Sequence, residues 1–246
     1  MKCANANVNQ NLMQTPTFTT GPTAPTEQLY GALSAQSAFT GKVLSLFGLA
    51  ILITAAGTYT GYNYILAELV SHPGWALIIF VVELVLILTS RLWSKIEPLN
   101  YILFSAFAFL SGITIVPLIA SFVHEFNGFG IIYRALFTTT TTFLAAGLFG
   151  YTTKKSLASL GGFLITGLIG MLIVGIVGIF LPWGNTTEML YSGFGVLLFT
   201  AYAAYDLNRL RDYPKGEYIN AAIQLYLDIF NLFIFILRLT GAVSRR

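Results

Sequence analysis

Residues 218–241 read YINAAIQLYLDIFNLFIFILRLTG. The length of this stretch and its many Leu, Ile and Phe residues suit a helix that crosses a hydrocarbon core, which takes about 20 apolar residues. Asp228 lies in its middle, although ionisable side chains are costly inside a membrane and are usually kept there for a function. The stretch therefore predicts both a membrane fold and a candidate functional residue.

The composition of the whole chain agrees with this prediction. Hydrophobic residues make up 56% of the 246 residues and charged residues only 9%, whereas charged residues are about a quarter of a soluble domain. Apolar runs long enough to span a membrane recur seven times, at residues 43–66, 75–93, 99–122, 131–151, 158–181, 190–210 and 218–240. We expect an all-α, polytopic membrane protein whose residues 41–246 form a seven-transmembrane-helix bundle.

Residues 1–40 differ from the rest of the chain. They are rich in Asn, Gln, Thr, Ala and Pro and lack the apolar segment of a signal peptide. Such a composition buries too little surface to fold alone and predicts a disordered N-terminal tail. The single cysteine, Cys3, lies in this tail, so no disulfide within the chain and no thiolate metal site are expected.

The basic residues predict how the chain is oriented, because Lys and Arg in short loops favour the cytoplasmic side. With seven crossings, most of them fall on one face: Lys2, Lys42, Arg91, Lys95, Lys154, Lys155, Arg209, Arg211 and Lys215. We therefore expect a cytoplasmic N-terminus. Arg238, Arg245 and Arg246 fall on the opposite face and contravene the rule. A re-entrant last segment would bring them back, but residues 218–240 are long enough to span.

The last predicted span carries a polar stripe. Its members fall within roughly 80° of one another on a helix that advances 100° per residue: Asn220, Gln224, Asp228, Asn231 and Arg238. The other faces are apolar, so we expect this helix to be central in the bundle. Asn and Gln can join helices by hydrogen bonds without any further role, whereas a carboxyl group is not needed for that purpose.

A second carboxyl group lies near the end of the sixth predicted span, in the stretch YAAYDLNRL at residues 202–210. Asp206 shares a helix face with Tyr202 and Arg209, and an ion pair with Arg209 near the membrane surface is one interpretation. The other is a pairing with Asp228 on the next, antiparallel helix. A rise of 1.5 Å per residue leaves the two carboxyl groups offset by roughly 6 Å, which a tilt or kink can close.

If the two carboxyl groups approach, their chemistry is restricted. Two negative charges in a low-dielectric pocket cannot both persist cheaply, so the pair shares a proton and titrates as a unit. Once both are ionised, their oxygens and nearby amide and carbonyl oxygens suit the hard cation Ca²⁺. Asp206 and Asp228 are therefore the candidate pH sensor and the candidate Ca²⁺ ligands.

The second predicted span contributes two further candidates. Glu83 lies near its centre and has no charged neighbour on its own helix until Arg91. Glu83 is either a protonated, structurally tolerated residue or a second carboxylate on an ion pathway. Arg91, at the cytoplasmic end, can reach Asp206 and hold the site closed. Gln224 and Asn231 complete the candidate pathway.

Several classes of membrane protein do not fit the sequence. All six lysines lie outside the predicted spans, which excludes a retinal protein, and there is no HExxH zinc motif and no phosphate loop. An aspartyl intramembrane protease is an alternative, because Tyr205 and Asp206 resemble half of its signature. The other half, Gly-x-Gly-Asp, is missing at Asp228. We expect no enzymatic activity and no cofactor.

Three stretches together resemble the Bax inhibitor-1 family: YRALFTTTTTFLAAGLFGYTTKKSLASLGGFL (133–164), AYAAYDLNRL (201–210) and YINAAIQLYLDIFNLFIFILRL (218–239). The resemblance covers about residues 40–241. It implies a seven-helix bundle with a central last helix that acts as a pH-sensitive Ca²⁺ leak channel, with Ca²⁺ as the transported ion. It also implies that Asp206 and Asp228 form a di-aspartyl pH sensor, with a basic latch and a pathway glutamate that we assign to Arg91 and Glu83.

The resemblance leaves a second function open. Some bacterial members bind a membrane-anchored ATP-dependent protease and modulate its proteolysis, which would make this chain a regulatory protein with residues 1–40 as its handle. One departure is visible, since Ser156 stands where the family often has an acidic residue. The short loops suit a bacterial inner (plasma) membrane, and an organellar or endoplasmic-reticulum membrane is the alternative. The expected partners are the lipid bilayer, Ca²⁺ and protons, and no nucleic acid.

Overall fold

The structure is a computed structural model that describes residues 25–72, 74–181, 183–214 and 216–245. This part of the chain contains α-helices and no strand, which confirms the all-α prediction. Its α-helices are α1 (Pro25–Thr60), α2 (Leu66–Ser71), α3 (Gly74–Leu88), α4 (Ser90–Trp93), α5 (Leu99–Thr114), α6 (Val116–Glu125), α7 (Gly130–Thr152), α8 (Gly161–Phe180), α9 (Asn185–Arg209) and α10 (Tyr218–Ser244). A π-helical segment, Gly61–Ile65, joins α1 to α2, and a 3₁₀-helix, Ala158–Leu160, precedes α8.

Five helical segments of the described chain are long and apolar enough to cross a membrane: Tyr30–Ser71, Leu99–Glu125, Gly130–Thr152, Ala158–Gly178 and Tyr218–Ser244. α3 is apolar but has only 15 residues. α9 has 25 residues but carries polar groups at both ends, at residues 185–188 and 206–209. The protein is therefore a multi-pass membrane protein, and the count of seven crossings stays a prediction.

The N-terminal part divides from the rest of the chain between residues 37 and 38. The predicted disordered tail, residues 1–40, lies outside the described residues up to residue 24. Residues 25–40 are helical, because α1 begins at Pro25. Ala, Leu and Gln are frequent in this stretch and are favourable helix formers, which the compositional argument for disorder did not weigh.

α10 is the central helix of residues 38–246, as predicted. It packs most extensively against α9 and also against α7, and α7 and α9 pack against each other. The apolar residues of its first half are buried on most faces of the helix, as expected of a helix surrounded by others: Ile219, Ala221, Ala222, Ile223, Leu225 and Tyr226. α8, in contrast, contacts α9 and exposes most of its side chains, as a lipid-facing helix does.

α7 and α9 are in close contact at Gly150, where an added Cβ would collide with the backbone carbonyl of Ala204. Overpacking of this kind costs about 1–3 kcal/mol. We therefore expect Gly150→Ala to lower the thermal unfolding midpoint in detergent micelles by about 2–10 °C. Gly193→Ala on α9 is the control, because a Cβ there meets no atom within 4 Å. Equal losses in both variants would contradict this close contact.

One end of the bundle collects basic residues that the sequence places on a single face. Lys42 Nζ lies 3.4 Å from the centre of the Tyr218 ring, at the start of α10. Lys95 Nζ lies 3.0 Å from Glu217 Oε1, and this hydrogen bond lowers the pKa of the Glu217 carboxyl. These contacts bring the middle of α1 at Lys42, the segment after α4 and the α9–α10 connection together. We call this the basic end.

Two of the arginines that contravene the charge rule form ion pairs at the opposite end of the bundle. Arg238 donates to Glu188 with Nε at 2.6 Å and Nη2 at 3.0 Å. Arg245 donates to Glu125 with the same two nitrogens, at 2.5 and 2.7 Å. α10 thus runs antiparallel to α9 along its length, and its C-terminal end does not return to the basic end as a re-entrant segment would. Both arginines are therefore held in ion pairs at this end of the bundle.

Candidate functional site

Asp206 on α9 and Asp228 on α10 face each other near the basic end. Their carboxyl groups lie within hydrogen-bonding range, and the two residues are only 8% and 3% exposed. The displacement along the helix axes that the sequence predicted between the two carboxyl groups therefore does not keep them apart. Since Asp228 lies ten residues into α10 and Asp206 three residues before the end of α9, α10 must begin beyond the end of α9. The connection, residues 210–217, supplies that length.

Arg209 is the cation beside the pair. It interacts with Asp206 from one turn along the same helix, and its guanidinium carbon lies 5.3 Å from the Tyr205 ring centre and 5.8 Å from that of Tyr213. Asp206 therefore has both predicted neighbours, but Arg209 acts on it only electrostatically, since the two side chains form no ion pair within 4 Å. Arg209 itself is exposed, so water reaches the guanidinium and weakens its attraction for the Asp206 carboxyl group.

One oxygen of the pair lacks a donor. Asp228 Oδ2 is buried and accepts no hydrogen bond from the described part of the chain. Carboxylates only accept hydrogen bonds, and a carboxyl group can donate one only when it is protonated. A proton on one of the two acids therefore supplies the missing donor and turns a repulsive contact into an attractive one.

The amides of the predicted polar stripe make separate bonds. Gln224 interacts with the Tyr213 side chain, so this amide lies beside the connection between α9 and α10. Asn231 Nδ2 donates to Leu227 O of its own helix at 2.7 Å. Asn220 Nδ2 donates to Glu217 at 3.5 Å. The stripe thus contains one carboxyl group among amides that bind nearby structural groups.

Glu83 belongs to a second polar cluster. It is buried on α3 and accepts a hydrogen bond from Thr114 Oγ1 at 2.8 Å. Tyr226 on α10 lies near enough to interact electrostatically with it, and the Tyr226 hydroxyl is 2.7 Å from Thr54 Oγ1. Glu83 therefore lies among hydroxyl groups of α1, α5 and α10, in a part of the core different from the aspartate pair.

Arg91 does not occupy the position predicted for it. It is exposed on α4 and interacts with Glu217, on the α9–α10 connection. The cation beside Asp206 is Arg209 instead. A single sequence shows that both arginines lie near the basic end, but it does not show which one the helix packing brings to the carboxyl pair.

Asn208 has a structural role that the sequence argument missed. Its Nδ2 donates to Gly150 O at 2.9 Å and to Lys155 O at 3.3 Å, while its Oδ1 accepts from Leu157 N at 2.9 Å. These bonds fasten the connection between α7 and α8 to α9, next to Asp206. An amide two residues after Asp206 at the end of a predicted span was the available signal.

An α-helical membrane bundle with a buried pair of carboxyl groups between its two most closely packed helices defines the general class of this protein. Residues 36–245 match the family model described as "Inhibitor of apoptosis-promoting Bax1". The chain belongs to the Bax inhibitor-1 family, as the sequence motifs predicted.

Individual relatives span yeast, bacteria and a virus. Bax inhibitor 1 of Schizosaccharomyces pombe is 30% identical over 216 residues, which cover 87% of this chain and 79% of the relative. An uncharacterized protein of Campylobacter jejuni is 30% identical over 214 residues, 85% of this chain and 90% of the relative. A Golgi anti-apoptotic protein of vaccinia virus is 29% identical over 213 residues, 85% and 87% of the two chains.

Proposed function

We propose that this protein is a pH-sensitive calcium leak channel gated by Asp206 and Asp228. The observation that supports the proposal most directly is the contact of these two buried carboxyl groups between α9 and α10. The interaction between two such carboxyl groups is repulsive when both are ionised and attractive when they share a proton. That property is what a proton-operated gate requires.

The gating cycle follows from that chemistry. With one proton on the pair, a hydrogen bond joins α9 to α10 and keeps the pathway closed. When the proton leaves, two adjacent carboxylates repel each other, the helices separate, and carboxylate oxygens become available to a cation. Ca²⁺ takes six to eight oxygen ligands, and the two side chains supply only part of that number, so the ion passes on rather than staying bound.

The rest of the chain supports a direction for the pathway. The basic end, with Lys42 and Lys95, is the cytoplasmic end under the charge rule, which puts the N-terminus in the cytoplasm and the gate on that side. Glu83 provides a third buried carboxyl group, away from the aspartate pair. The bacterial inner membrane is the location that we propose, because several of the relatives are bacterial proteins.

The test is a flux assay on purified protein in liposomes that contain a Ca²⁺-sensitive dye. We expect Ca²⁺ entry above that of empty liposomes, rising between pH 6 and pH 8 by up to about tenfold per pH unit where a single proton controls opening. Absence of entry at every pH would refute the channel and favour the regulatory alternative, in which the chain binds a membrane-anchored protease. Entry without pH dependence would refute the proton gate alone.

A further inference from the structure

An open cavity of about 490 Å³ lies at the end of the bundle opposite the aspartate pair. The beginning of α9, the end of α10 and part of α6 form its walls. Its polar lining consists of Asn185, Glu188, Arg238 and Arg245, beside Trp183 and Gly184. None of these residues takes part in the proposed gate, so the cavity requires an explanation of its own.

The two arginines on the wall have unused donors. Each uses Nε and Nη2 to hold one glutamate, Arg238 with Glu188 and Arg245 with Glu125. In both side chains, Nη1 makes no hydrogen bond within the described part of the chain. A guanidinium has five N–H groups, so each ion pair orients the arginine side chain and leaves some of its N–H donors unused.

The first turn of α9 adds backbone donors to the same cavity. Gly184 precedes the helix and has no side chain to cap it. The first N–H that bonds within the helix is that of Glu188, which donates to Gly184 O at 3.1 Å. The N–H groups of residues 185–187 therefore have no partner inside the helix. They also carry the positive end of the helix dipole, which favours an anion.

Beside these donors lies one acceptor that has no hydrogen-bond partner in the described residues. Asn185 Oδ1 is buried and has no hydrogen-bond partner in the described residues, while Asn185 Nδ2 is held by Ala242 O at 2.9 Å. The cavity thus offers several unused donors and one unpartnered acceptor, and the Glu188 carboxylate in its lining is paired with Arg238. Its complement is a compact anion with several acceptor oxygens and one neighbouring N–H or O–H group.

We propose that this cavity binds the phosphate group of a membrane phospholipid, with the headgroup hydroxyl or ammonium donating to Asn185 Oδ1. Phosphate oxygens accept from Arg238, Arg245 and the start of α9. A soluble phosphate ester offers the same chemistry, but the surroundings favour a lipid. Trp183 is a residue type enriched at the membrane interface, and the exposed apolar side chains of Phe180 and Leu181 provide a surface for acyl chains.

The proposal is tested by thermal unfolding of the full chain in detergent, with native mass spectrometry to count bound lipid. The probes are dihexanoyl phosphatidylglycerol, dihexanoyl phosphatidylethanolamine, glycerol 3-phosphate and inorganic phosphate. We expect the two lipids to raise the unfolding midpoint in a saturable way and the soluble phosphates to do so only at far higher concentration. Equal affinity for lipid and glycerol phosphate would overturn the lipid assignment in favour of a soluble phosphate ester.

Two variants connect the binding to this cavity. Arg245→Gln removes one guanidinium and should weaken lipid binding by about tenfold or more. Gly184→Asp puts a carboxylate into the cavity, where a Cβ meets no atom within 4 Å, and should abolish binding while capping α9 and preserving stability. Arg134→Gln, an exposed arginine of α7 outside the cavity lining, is the control. Lipid binding that both cavity variants leave unchanged would overturn the proposal.

Discussion

Replacing Asp228 by Asn is expected to abolish the pH dependence of Ca²⁺ entry into liposomes. The amide is neutral at every pH and can donate a hydrogen bond to Asp206 without a proton from solvent. The contact between α9 and α10 would then stay attractive when the pH rises. Entry at pH 8 should fall to the level that the wild-type protein shows at pH 6, and the variant should vary by less than about twofold over the whole range, against up to tenfold per pH unit for the wild type.

The same assay separates a gate from a general defect. Asp206→Asn should behave like Asp228→Asn, because either amide replaces the shared proton. Asp212→Asn is the matched control, since Asp212 is an exposed carboxylate on the connection between α9 and α10 and its loss should leave the pH profile intact. If both buried variants keep the wild-type profile, or if Asp212→Asn removes it, the aspartate pair is not the proton gate.

Helical spacing was enough to predict one half of this site. The 100° advance per residue predicted the polar stripe of α10, and the structure places Asp228 of that stripe inside the bundle. The contact with Asp206 depends on where α10 begins relative to the end of α9, which residues 210–217 determine and which no periodicity reports. Residue spacing therefore predicted which face of α10 carries Asp228, whereas the structure was needed to show its position along the helix axis relative to Asp206.

Long-range ion pairs were beyond the reach of sequence reasoning for a different reason. Arg238 finds its partner Glu188 fifty positions earlier in the chain, and Arg245 finds Glu125 on α6. Arg238 and Glu188 meet only because α9 and α10 pack antiparallel to each other. In a single sequence, Arg238 and Arg245 appeared as exceptions to the charge rule. The structure shows them as members of neutral pairs at the end opposite the basic residues.

The second large effect is expected from Arg238→Gln, through stability rather than flux. The Glu188 side chain is 14% exposed and the Arg238 side chain 31%, so the variant leaves a largely buried carboxylate without its cation. Breaking a buried pair by removing one partner costs about 3–5 kcal/mol. We expect a lower midpoint of chemical unfolding in detergent micelles and a smaller folded fraction after purification.

The double variant Glu188→Gln/Arg238→Gln distinguishes a buried charge from lost packing. Two amides can hydrogen-bond to each other and leave no charge unpaired, so the double variant should recover most of the stability that the single variant loses. Arg245→Gln is the comparison, because its partner Glu125 is 38% exposed and water can solvate that carboxylate, which limits the loss to about 0–1 kcal/mol. Two outcomes would contradict this explanation: equal destabilisation by Arg238→Gln and Arg245→Gln, or a double variant as unstable as Arg238→Gln. Either would show that Arg238 is needed for a reason other than the buried charge of Glu188.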